Sequence, residues 1–127
     1  MGWLYVAMGG GLGALLRYGL SGWVQGWTAG PFPWGTMTVN VLGSLLLGFT
    51  VVWLETTTTS AEWRQFATIG LLGAFTTFST FSYETIALLR DGDQWGATGY
   101  VVGSLTAGLV GIVIGLALAS WLLQPRG

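Results

Sequence analysis

The chain has no cysteine, no histidine and no lysine. That excludes a disulfide framework, and with it any zinc or iron site assembled from Cys or His. Charge is scarce too: 7% of the 127 residues are charged, against roughly 25% in ordinary soluble domains. The net charge of −1 leaves no basic footprint for a nucleic acid. The N-terminus, Met1-Gly2-Trp3, lacks a basic stretch and a small-residue cleavage site, so the first apolar run is expected to be retained. Val6 stands where a myristoylation signal needs Ser or Thr. What remains is apolar, 52% of the chain. The solvent this sequence suits is lipid.

Crossing the hydrocarbon core takes about 20 apolar residues per helix. The sequence divides into four such stretches, giving expected helices at 3–27, 34–54, 62–89 and 95–123, a single all-α integral membrane domain. Gly30-Pro31-Phe32-Pro33 punctuates the first boundary, with Pro33 suited to a first helical turn. Thr59-Ser60-Ala61-Glu62 reads as a capping box for the third helix, and Asp93 as the N-cap of the fourth. Seven of the eight tryptophans fall near these borders, as an interfacial belt requires.

The helices alternate in direction, so Arg64 and Arg126 fall on one side and Arg90, with Arg17 nearest to it, on the other. Two arginines against two give the positive-inside rule nothing to act on. Such a chain can insert both ways, and two opposite copies can pair as an antiparallel dimer. The alternative is an orientation fixed by few charges or by a partner. Glycine is abundant, at 22 residues. The spacings Gly9-x-x-x-Gly13, Gly99-x-x-x-Gly103 and Gly111-x-x-x-Gly115 are those of close helix packing in lipid.

Chemistry concentrates in Thr76-Thr77-Phe78-Ser79-Thr80-Phe81-Ser82, followed by Glu84. Hydroxyls and a carboxylate inside a span point to an ion path, since lipid-facing helices have no use for them. Phe78 and Phe81 share a helix face; they either pack, or turn their positive ring edges toward a partly dehydrated anion. Gly73-Ala74-Phe75-Thr76-Thr77 is a candidate helix break, where Gly73 and Thr76 can turn carbonyls toward a monovalent cation. Hydroxyls bonding back to the helix are the plainer alternative. Asn40, four residues after Thr36 on the same face, offers an uncharged amide. An interhelical hydrogen bond there is worth about 0.6 kcal/mol in membranes. Arg17 is costly inside a span unless it pairs with carbonyls or Glu84, or lines a wet vestibule. Glu84 has no other carboxylate or histidine inside the spans to form a proton relay with, which favours passive conduction.

Taken together, Gly9-Gly10-Gly11-Leu12-Gly13-Ala14 with Arg17-Tyr18, Gly35-Thr36 with Asn40 and Gly43, and Gly73 with the threonine–phenylalanine–serine run and Glu84 resemble the Fluc (CrcB) family of small prokaryotic fluoride channels. The resemblance covers almost the whole chain; the fourth helix matches mainly through Tyr100, Ser104 and its glycines. It implies a dual-topology antiparallel homodimer in the prokaryotic inner membrane, with two pores that export fluoride passively. It also implies Phe78 and Phe81 as pore phenylalanines, Asn40 as the pore amide, and Ser79, Thr80, Ser82, Tyr100 and Ser104 as polar contacts. Arg17, Thr36 and Glu84 would lie at the vestibule. Gly73 and Thr76 would give carbonyls, from both subunits, to one structural Na⁺. Neither rival reading fits as well. A dual-topology drug exporter needs an early mid-membrane carboxylate, and none precedes Glu55. A non-transporting assembly subunit leaves the hydroxyl–phenylalanine run unexplained.

Overall fold

Four helical rods, joined by short connectors, make up residues 1–125, the part of the chain that the computed structural model describes. Helix α1 runs Gly2–Gly26, α2 Trp34–Glu55, and the fourth rod, α6, Gln94–Leu123. The third rod is composite: α3 Ala61–Gln65, a π-helical stretch Phe66–Leu72, the single turn α4 Gly73–Phe75, and α5 Phe78–Arg90. Helices α2 and α6 are long and apolar enough to cross a membrane. All eight tryptophans are exposed, as they must be to face lipid and its interface rather than a protein core.

Side-chain caps set the starts of α3, α5 and α6. The Ser60 hydroxyl accepts from the Trp63 amide at 3.4 Å, so the third rod is capped one residue later than the Thr59-to-Glu62 spacing suggests. Asp93 caps α6, accepting from the Gly96 amide at 2.8 Å. A single tight turn separates α5 from α6. Gly92, at φ 81, ends α5 while its amide donates to the Leu89 carbonyl and the Asp93 amide to the Leu88 carbonyl. This paired closure needs the left-handed conformation that glycine takes without strain.

Glycines then bring the rods together as two parallel pairs. Gly9 and Gly13 are buried against the third rod: a methyl at Gly9 would overlap the Phe66 carbonyl, and one at Gly13 the Leu71 carbonyl. A methyl at Gly115 would overlap the Leu45 carbonyl of α2, one at Gly111 would stand 3.3 Å from the Val41 carbonyl, and Gly48 answers from α2 against the Ile112 carbonyl. Two of the three expected glycine faces are thus close helix contacts. The third is not: Gly99 faces open space, and Gly103 meets only the flexible end of Met37.

The third rod breaks at the far end of the expected stretch 73–77. Gly73 keeps helical angles (φ −62, ψ −40), and it is Thr76 and Thr77 that turn extended. The π-helical stretch was not foreseen from the sequence; it lies where Gly70 packs on the α1 backbone, a methyl there meeting the Val6 carbonyl. Arg64 is not a free surface charge. It donates to the carbonyls of Leu54, Thr57 and Thr59 and so caps the C-terminus of α2. Arg126, the other arginine assigned to that side, lies outside the described residues.

Candidate functional site

The helix break is organised by one side chain from another rod. The Asn40 amide nitrogen donates to the Thr77 carbonyl at 3.1 Å, and its oxygen accepts from the Thr77 amide at 2.7 Å. This two-sided clamp replaces the hydrogen bonds that an unbroken helix would have made within itself, which lipid cannot supply. Thr77 then starts α5, its hydroxyl accepting from the Thr80 amide at 3.3 Å. Because the Thr77 amide goes to Asn40, the Gly73 carbonyl is left the long 3.5 Å contact from the Thr76 hydroxyl. The guanidinium of Arg17 donates to the Ala74 carbonyl at 3.0 Å, completing the first half of the rod. Gly43 makes room for the break, since a methyl there would overlap the Thr76 side chain.

Beside the break lies an open groove of about 350 Å³, mostly apolar, between α2, α6 and the two halves of the third rod. Asn40, Gly73, Thr76, Phe78, Phe81 and Ser104 are among the residues lining it. The Phe78 and Phe81 rings are 5.9 Å apart and tilted by 43°, and Phe81 reaches Tyr100 at 5.1 Å. Phe78 is 78% exposed, so it does not serve the core of a single chain. Tyr100 is fully buried and Ser104 nearly so, one helical turn apart, and among the described residues neither hydroxyl has a hydrogen-bond partner. An unmet buried hydroxyl costs about 1–3 kcal/mol. Ser104 lines the groove and its hydroxyl is placed to donate to something that enters it, whereas Tyr100, one turn away, does not reach the groove and lies against Phe81 and Thr36.

A second, polar groove of about 410 Å³ opens between the α1–α2 connector and α5. It holds Thr36, Thr80 and Glu84, with the Thr36 hydroxyl donating to the Glu84 carboxylate at 2.5 Å. Not every residue singled out from the sequence reaches these grooves. Ser79 is exposed and lines neither, Tyr100 is fully buried and lines neither, Ser82 lines neither and donates back to the Phe78 carbonyl at 2.9 Å, and Arg17 stands at the break instead. Three contributors went unassigned in the sequence: Thr77, Gly43 and Gln25. Thr77 carried a local signal, the Thr77-x-x-Thr80 capping spacing. Gly43 and Gln25 act through residues distant in sequence.

The arrangement has no cluster of three or more acidic or thiol groups for a metal among the described residues, and it offers uncharged donors, ring edges and carbonyls in their place. Comparison with known proteins agrees with this chemistry. A family described as CrcB-like protein, Camphor Resistance (CrcB), matches residues 4–116. The fluoride-specific ion channel FluC of Thermus thermophilus is 50% identical over 116 residues, covering 91% of each chain. That of Opitutus terrae is 45% identical over 132 residues, covering 98% of this chain and 97% of its own. The Geobacter sulfurreducens FluC is 46% identical over 117 residues, covering 91% and 94%. With nearly its whole length matched, this chain belongs to the CrcB family of FluC fluoride-specific ion channels.

Proposed function

We propose that this protein conducts fluoride passively out of the prokaryotic cytoplasm across the inner membrane, as an antiparallel homodimer with two pores. The observation that carries the reading is the groove in which Asn40, Phe78, Phe81 and Ser104 meet, with the Ser104 hydroxyl lacking a partner among the described residues. A bare small anion in a medium of dielectric about 4 costs tens of kcal/mol, so its hydration must be replaced in steps. Neutral donors and aromatic edges do this without holding the ion as tightly as a fixed cation would, and conduction needs binding weak enough to release. Asn40 spends one amide hydrogen on the Thr77 carbonyl and keeps the other for an ion. Thr36, Thr80 and Glu84 form the entrance in this reading, and Arg17 supports the break beside it.

Two features support the second copy. Phe78 and the groove lie open on one chain and need a cover, and the balanced arginines allow insertion in either direction. All four rods cross the membrane in this arrangement. At the dimer centre, the carbonyls of Gly73 and Thr76 suit a hard monovalent cation. Both residues line the groove at the break, where Thr76 is extended and the Gly73 carbonyl has lost the Thr77 amide to Asn40. A Na⁺ held there by the Gly73 and Thr76 carbonyls would supply positive charge, and Asn40 and Arg17, which bond Thr77 and Ala74, keep those carbonyls in place.

The direct test is fluoride efflux from liposomes containing the purified protein, with a potassium ionophore to balance charge and no pH gradient. Rapid efflux of fluoride with little chloride supports the proposal. Efflux only under an imposed proton gradient would replace it with a coupled exporter.

A further inference from the structure

Gln25 lines the polar groove, yet its side chain is fully engaged. The amide nitrogen donates to the Phe32 carbonyl at 3.0 Å and the Thr28 hydroxyl at 3.3 Å. The amide oxygen accepts from the Gly35 amide at 3.0 Å. With both hydrogens used, Gln25 has no donor left for an anion in the groove. The Gly35 contact matters more. The residue at the N-cap of α2 is Pro33, which has no side-chain oxygen, so the first turn of α2 is capped from α1 by Gln25. At the same turn Gly35 rests on the Ser21 backbone, where a methyl would overlap the Ser21 carbonyl. The next residue is Thr36, which donates to Glu84. One side chain therefore fixes the connector, the start of α2 and the height of Thr36 against α5.

We infer that Gln25 is a positioning residue for the mouth of the ion pathway: it caps α2 from α1 and so holds Thr36 on Glu84. The inference rests on the channel reading. Its test is a double-mutant cycle read as fluoride efflux per reconstituted dimer, with Gln25→Met, Thr36→Val and the double variant. Amide hydrogen exchange at Gly35 and Thr36 is measured alongside. Gln25→Met keeps the length and removes all three hydrogen bonds.

The expected result is a roughly tenfold loss of flux in Gln25→Met, the scale of one lost helix cap, with faster exchange at Gly35 and Thr36. Because Gln25 acts through Thr36, the double variant should conduct no worse than the poorer single one. Losses that multiply in the double variant would overturn the inference, as would unchanged flux or unchanged exchange in Gln25→Met. Should Gln25→Met fail to assemble, the test is run with Gln25→Glu. That variant keeps an acceptor for Gly35 and loses the donors to Phe32 and Thr28. It should retain slow exchange at Gly35 and most of the flux; a tenfold loss of flux with exchange still slow would overturn the inference. If wild-type protein carried no fluoride, the channel reading would fall by itself. Exchange would then decide the fate of Gln25: faster exchange in the variant upholds the cap, and unchanged exchange refutes it.

Discussion

Tyr100 and Asn40 separate a conducting role from a structural one more sharply than the other residues do. Among the described residues the Tyr100 hydroxyl is buried with no hydrogen-bond partner, so Tyr100→Phe removes a buried polar group and leaves the ring contacts with Phe32 and Phe81 intact. Thermal stability should rise or hold, by up to about 1 kcal/mol, while fluoride flux falls. A loss of both would mean that the hydroxyl is bonded within the folded protein. Asn40 predicts the opposite pairing. Asn40→Leu strips the Thr77 carbonyl and amide of their partners at membrane depth, at about 1–3 kcal/mol for each group left unmet. Melting temperature and conduction should drop together, and a variant that melts like wild type would show that the clamp is not what holds the break. The amide was legible in the sequence as an interhelical bond or a pore donor, but the partner was not. Thr77 lies 37 positions away, and no local pattern announces that pairing.

At the scale of the elements, the sequence carried what is local and lost what depends on a neighbouring helix. The four apolar runs and the Asp93 cap stand within a residue or two of where composition and capping chemistry put them. The π-helical stretch was missed because it answers to the approach of the α1 backbone at Gly70, and the position of the break at Thr76 and Thr77 depends on Asn40, from another rod. The glycine faces make this testable. Gly13→Ala and Gly115→Ala each force a methyl onto a backbone carbonyl of the facing rod, and should destabilise the protein by about 1–3 kcal/mol, the usual cost of overpacking. Gly11→Ala meets nothing within 4 Å and should be neutral or slightly stabilising through helix propensity. Thermal unfolding in detergent reads all three. Equal losses at Gly11 and Gly13 would deny that the close face is specific.

For the whole molecule, the proposed second copy rests on the exposed Phe78 and the open groove, which need a cover, and its opposite orientation on the balanced arginines. The cysteine-free sequence makes this simple to check. A single cysteine introduced at the C-terminus should be reached by an impermeant reagent in about half the copies from each face of the membrane. Labelling from one face alone would mean a fixed orientation and a different assembly. The central claim, that an anion passes along the aromatic groove, is tested most directly by fluoride efflux from liposomes holding equal amounts of wild-type protein and Phe81→Ile. Isoleucine keeps an apolar side chain and removes the positive ring edge. The account predicts a folded Phe81→Ile dimer whose efflux is greatly reduced. A folded variant that conducts like wild type would contradict it and return Phe81 to a packing role.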